Sequence, residues 1–231
     1  MGLINIPAEK QQLVTIVSVV VIVIALGFLM KTQCARIPRS AGGSANFNAT
    51  VGMVAAEEAA KLVGKGKAVL ITLDYGRTDF NPARDQLKGF ERQARKSGLS
   101  IRATESAKSE MPMVLGPMAG LSVKQLLDLL TKYADADVMV IFTGTPPLPA
   151  AEVAKLPAKR PKVVSVSMMG GVDRGMLDAD VVQVAIVPKI FAGPMAGGGG
   201  RKFRDARARF NEYFQVVTKA TVIDLPRPPG M

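Results

Sequence analysis

The chain opens on a run without charge. Gln11 to Met30 holds no Asp, Glu, Lys or Arg, and from Leu13 onward it is almost purely apolar, broken mainly by Thr15 and Ser18. At about 1.5 Å per residue, a helix of that length crosses the roughly 30 Å hydrocarbon core of a bilayer. The run exceeds a signal-peptide core and has no basic stretch before it, so the pattern predicts an uncleaved single-span anchor within residues 1–34. Residues 35–49 are small and polar and predict a flexible linker. Regular alternation follows. Val51 to Val63 reads as a helix with Val54, Ala55, Ala59 and Leu62 on one face, and Lys67 to Leu73 as a nearly continuous apolar strand. Pro82 to Ser97 is helical, with Pro82 suited to the first turn and Gly98 to the stop. Leu99 to Thr104 is a second strand, Leu121 to Tyr133 a helix, Val138 to Phe142 a third strand and Ala150 to Leu156 a short helix. Lys162 to Ser167 and Val181 to Val187 complete the strands.

Strands alternating with helices predict an α/β fold, a five-stranded parallel, doubly wound (Rossmann-like) sheet over residues 50–192. The expected strand order is 2-1-3-4-5, with the topological switch between the first and third strands. The loops from Asp74 to Asn81 and from Thr143 to Pro149 then flank the crevice where ligands bind in such sheets. Residues 193–231 read as a separate tail: a Gly-rich hinge, a basic amphipathic helix from Arg201 to Ala220, and a Pro-rich end. Phe203, Ala206, Phe210, Phe214 and Val217 form the apolar stripe of that helix, with Arg204, Arg207 and Arg209 among its other positions. The stripe packs on the domain, or docks on a membrane surface or a partner protein.

Composition narrows the chemistry. The chain has no histidine and one cysteine, Cys34, so it holds no Ser-His-Asp unit, no Cys-His unit and no internal disulfide. Lys31-Thr32-Gln33 before Cys34 is not a lipid-attachment motif. The net charge of +11 is spread as +3 over residues 1–40, +4 over 41–200 and +4 over 201–231. The excess thus lies beside the predicted span and in the tail, where anionic lipid or an acidic partner fits better than a nucleic-acid duplex. Gly197 to Gly200 lacks the Gly-Lys-Ser/Thr ending of a phosphate loop, and Gly64 to Lys67 precedes a strand, so both read as linkers or turns. Asp135 and Asp137 have no third carboxylate near in sequence; Asp74 and Asp79 share one loop but no metal motif. No metal, cofactor or catalytic set is expected.

Three segments carry a resemblance. They are Gly52 with Ala55-Ala56, leading through a helix to the Lys67 strand; Asn81-Pro-Ala-Arg-Asp-Gln-Leu-Lys-Gly-Phe90; and Leu126-Leu-Asp-Leu-Leu-Thr-Lys-Tyr-Ala-Asp-Ala-Asp-Val138. Their succession resembles the carboxy-terminal lobe of type 1 periplasmic sugar-binding proteins and the related ligand-binding domains of LacI-type repressors. The resemblance covers residues 50–190 and implies a sugar-binding role for Arg84. A local ion pair with Asp85 or Asp74 is the alternative. The polar residues that the family carries after the third and fourth strands are replaced by Phe142-Thr-Gly-Thr-Pro-Pro147 and by Ser167-Met-Met-Gly-Gly171. An amino-terminal lobe is not expected either, since the predicted span stands in its place.

These readings predict a membrane-anchored, non-catalytic accessory subunit that binds a larger membrane assembly, or a second copy of itself, through a repurposed binding-protein lobe. Phe203, Arg204, Arg207, Phe210 and Phe214 are the candidate interaction helix. The alternative is a receptor-like lobe for a sugar or nucleoside, completing its cleft by dimerisation around Asp74, Asn81, Arg84, Thr143 and Ser167. The resemblance implies a periplasmic or outer-face domain on a bacterial-type membrane. The basic residues after the span (Lys31, Arg36, Arg39) imply the cytoplasmic face, and both orientations stay open.

Overall fold

A computed structural model describes residues 40–74, 82–108, 120–168, 174–189 and 205–222, with side chains from Phe47 onward. The chain divides into two compact units, Met1–Ser44 and Ala45–Met231, and the described residues belong to the second apart from the first turn of one helix. The predicted span therefore lies outside the described residues, as do Asn81, Phe203, Arg204 and the Gly-rich hinge. Among the described residues no helix is long and apolar enough to cross a membrane.

The order of elements is α1 (Ser40–Val63), β1 (Lys67–Asp74), α2 (Pro82–Ser97), β2 (Ser100–Lys108), α3 (Val123–Lys132), β3 (Val138–Ile141), α4 (Ala150–Val153), β4 (Lys162–Val166), α5 (Arg174–Asp178), β5 (Val184–Pro188), α6 (Ala206–Tyr213) and β6 (Phe214–Thr218). They build one sheet of order β2-β1-β3-β4-β5-β6. The first five strands are parallel, and β6 runs antiparallel to β5. The central strands are buried on both faces, so β1 and β3 show unbroken apolar runs instead of alternation. One core lies beneath α1, α2 and α6, around Leu70, Phe90, Val140 and Phe214. The other lies beneath α3 and α5, around Ile71, Leu126, Leu130 and Met176.

Three expectations need correction. The sheet has six strands, not five, because the tail does not form one helix from Arg201 to Ala220. Asp205 caps α6 by accepting from the Ala208 amide at 2.7 Å, and the helix ends after Tyr213. Phe214-Gln-Val-Val-Thr218 then pairs with the open edge of β5, where β-branched residues fit and the edge finds partners. The tail is thus part of the domain and not an appendage. Residues 35–49 are not all linker either: α1 begins at Ser40. Its early turns are held by tertiary contact, since the Phe47 ring lies 5.6 Å from Phe214 and 6.4 Å from Tyr213. β2 also extends to Lys108, beyond the predicted Thr104, as an edge strand whose side chains alternate between exposed and half-buried. A one-residue register slip leaves Arg102 as a bulge on that edge, which twists it away from further pairing.

The tightest packing is between α1 and α2. A Cβ on Gly52 would sit 1.9 Å from the Gln86 carbonyl oxygen, and one on Gly89 would sit 1.9 Å from the Ala49 carbonyl oxygen. The two backbones touch there, and only hydrogen fits at both positions. Replacing Gly89→Ala forces the helices apart and costs about 3 kcal/mol, the upper part of the overpacking range. Thermal unfolding followed by circular dichroism should show a melting temperature lower by roughly 6–12 °C; an unchanged value would refute the crossing.

On the opposite face, Glu105 of β2 accepts from Lys132 Nζ at 2.8 Å and from Tyr133 Oη at 2.5 Å, tying the edge strand to the end of α3. The Lys132 hydrogen bond first, and then that of Tyr133, hold the Glu105 carboxyl below its ordinary value of 4.5. A depressed value means stabilisation that is present above pH 4.5 and lost as the pH falls through the folded value. Glu105→Gln should therefore flatten the acid limb of a stability-versus-pH curve below pH 4.5 while leaving its slope near neutrality unchanged.

Candidate functional site

The carboxyl ends of the parallel strands gather the polar residues that the core excludes. β1 ends on Asp74, and α2 starts at that same end of the sheet, so the first turns of α2 face the last residues of β1. Between them is an open groove of about 470 Å³, bounded by Thr72, Asp74, Arg84, Lys88, Glu91 and Ser106 among others. The structure thus brings together two of the predicted site residues, Asp74 and Arg84. The Thr72 hydroxyl is 3.4 Å from the Glu105 carbonyl oxygen, which places it against β2. The groove balances two carboxylates against two cations and adds two hydroxyls. Such a lining offers donors and acceptors without a net field.

The neighbouring strands supply a second cluster. After β3 the chain turns at Gly144, whose φ of 72° is the left-handed conformation that glycine adopts without a steric cost. The Gly144 amide donates to the Val166 carbonyl at 2.8 Å and the Ser167 amide to the Ile186 carbonyl at 2.9 Å, locking the ends of β3, β4 and β5 together. A Cβ at Gly144 would lie 3.5 Å from that of Ser167, so Thr143 and Ser167 are brought to one place. Sequence reasoning missed two residues there: Thr145 and the buried Ser165, whose hydroxyls lie 3.4 Å apart. Asp74 and Arg84 line the groove, whereas Thr143 and Ser167 lie outside its described lining, on adjacent strands of the same edge.

Gln86 was also missed. It is 1% exposed, in the same turns of α2 as Arg84, and its Nε2 has no hydrogen-bond acceptor among the described residues. A buried amide left unpaired is rare, because the group loses its water without replacement. The signal in the sequence was a polar residue on the inward face of α2, between Ala83 and Gly89.

The predicted interaction helix is placed differently from an outward docking face. Phe210 and Phe214 are 2% and 1% exposed, inside the core beneath α1 and α2. Arg207 pairs with Glu57 at 2.7 Å and lies 5.5 Å from the Phe210 ring centre. Asp135 and Asp137 lie at the opposite end of the sheet. Asp135 pairs with Arg102, and Asp137 accepts from the Lys67 amide at 2.7 Å. Among the described residues no three His, Cys, Asp or Glu side chains converge as a metal site.

No family model and no curated protein matches the chain. Solved structures do. The chain is similar to AraP, an arabinose-binding protein from Geobacillus stearothermophilus, at 17% identity over 78% of this chain and 63% of that one, with a TM-score of 0.50. It is similar to an ABC transporter solute-binding protein from Burkholderia graminis C4D1M, solved with D-arabinose, at 15% identity over 78% and 62% of the two chains, with a TM-score of 0.48. A carbohydrate transporter solute-binding protein from Agrobacterium radiobacter, also solved with D-arabinose, matches at 17% identity over 77% and 61%, with a TM-score of 0.47. The chain spans about three-fifths of the length of these proteins. The first likeness shows the fold: the chain has a periplasmic-binding-protein-like α/β sheet.

Proposed function

We propose that the chain is a binding lobe, not an enzyme, that holds a small polyhydroxylated ligand such as a pentose or hexose at the carboxyl edge of its sheet. The observation that carries this reading is the groove between β1 and α2, where Asp74 and Glu91 stand against Arg84 and Lys88. A neutral polyol needs directional donors and acceptors with no net charge, and this set supplies them. The hydroxyls of Thr143, Thr145 and Ser167 extend that character along the edge. The solved structures similar to this chain include proteins described as binding arabinose or as solved with it. The groove is open, so a sugar bound there needs a cover, and a second copy of the chain closing over it is the arrangement we favour. The accessory-subunit expectation loses one support, since Phe210 and Phe214 of the aromatic stripe are spent on the chain's own core.

Thermal-shift measurements on the full chain with D-arabinose, L-arabinose, D-xylose and D-galactose test the reading. A cognate sugar at about a hundred times its Kd adds about 2.7 kcal/mol, a rise of roughly 5–10 °C. Arg84→Ala should abolish the rise without lowering the melting temperature of the free protein by more than about 2 °C, since Arg84 is exposed. No shift with any of the four sugars at millimolar concentration counts against sugar binding. Gln86→Leu probes the buried amide: it should leave the free protein as stable or slightly more stable, by up to about 1 kcal/mol, and leave any sugar-induced shift unchanged, since Gln86 does not line the groove.

A further inference from the structure

The outer face of α2 carries a row of exposed cations. Arg84, Lys88, Arg92 and Lys96 follow one another at intervals of four, with Arg95 beside them, and all five are exposed. The Lys65 side chain lies at the end of this row, where its Cγ would be 3.0 Å from a Cβ at Gly98. The described surface elsewhere pairs such groups: Lys124 with Asp128 at 2.7 Å, Lys155 with Glu152 at 2.8 Å and Arg207 with Glu57 at 2.7 Å. Among the described residues, Lys65, Arg92, Arg95 and Lys96 make no ion pair, although Glu91 stands four residues before Arg95. Like charges four apart weaken a helix. A location in the last turn, where cations complement the helix dipole, accounts for Arg95 and Lys96 but not for Arg92.

We propose that this face of α2, through Lys65, Arg92, Arg95 and Lys96, docks on an anionic lipid surface. The face holds no aromatic or aliphatic anchor, which a protein interface needs at its centre. Headgroups of an anionic bilayer are numerous and mobile, and they reward exposed Lys and Arg without demanding a fitted shape. The uncharged run from Gln11 to Met30, long enough to cross a bilayer, favours a lipid surface over another polyanion. Arg84 and Lys88 continue the row toward the sugar groove, so the two sites are adjacent but use different cations. The inference does not depend on the groove binding a sugar.

The full chain is mixed with vesicles of phosphatidylcholine alone, or with phosphatidylglycerol added, and briefly acetylated at lysine; mass spectrometry then reads each site. Lys65 and Lys96 should acetylate several-fold more slowly on the anionic vesicles than on the neutral ones. Lys124, whose side chain is 82% exposed on α3, serves as the reference and should not change. Salt at about 0.5 M should remove the protection. The double change Arg92→Gln and Arg95→Gln should return Lys96 toward its rate on neutral vesicles, with about a fivefold loss of affinity for each charge removed. Equal acetylation on both kinds of vesicle overturns the proposal. So does protection by polyglutamate or duplex DNA with none from anionic vesicles, which would assign the face to a protein or a nucleic acid.

Discussion

The contact between the backbones of α1 and α2 sets the geometry of one whole face of the sheet. With no side chain at Gly52 or Gly89, each helix comes close enough for a carbonyl of the other to occupy the space a Cβ would take. That closeness leaves α2 no freedom to roll. Phe90 and Ala94 are turned into the core, Gln86 is sealed at the crossing, Arg84 and Lys88 are held at the groove, and Arg92 and Lys96 face solvent. Every functional assignment made for α2 follows from that single rotation. A larger residue at either glycine would disturb all of them at once.

The candidate site reflects a division of labour common to parallel sheets. Strand interiors carry the hydrophobic burial, while the loops at their carboxyl ends are free to carry polar chemistry. Here that edge has two parts. The β1–α2 groove contributes charge of both signs, and the β3 and β4 ends contribute hydroxyls fixed by the Gly144 turn. The first part offers strong, directional hydrogen bonds, and the second offers rotatable groups that act as donor or acceptor as required. Under the proposed reading, such a pair of surfaces discriminates among sugars by the placement of hydroxyls rather than by charge.

The strands of the central sheet were legible because their apolar runs are short, β-branched and bounded by turn residues, as in Val69-Leu-Ile71 and Val138-Met-Val-Ile141, too short for a buried helix. Their order followed from connectivity. The tail was misread because Phe210, Phe214 and Val217 satisfy a helical spacing whether or not the helix continues past Tyr213. What decides the matter is the unpaired edge of β5, a partner distant in sequence. The linker was misread for the same reason, since the buried ring of Phe47 is stabilised by Tyr213 and Phe214 and not by its neighbours. That Asp74 and Arg84 lie on one groove was legible from the loop and helix they occupy. Gln86 was not, because an unpaired buried amide is visible only once the surrounding atoms are in place.

The aromatic contact between Phe47 and Phe214 joins the first helix of the domain to its last strand. During synthesis the polypeptide emerges from its amino terminus, so α1 waits for nearly the whole domain to be translated before its partner rings arrive. Until then the apolar surface around Val51, Val54 and Phe90 lacks part of its cover, and the outer edge of β5 lacks a neighbour. The nascent chain therefore carries an exposed sticky face through most of its translation, the condition under which helper chaperones are recruited and under which crowded chains adhere to one another. Closure of this face therefore waits on the five residues of β6.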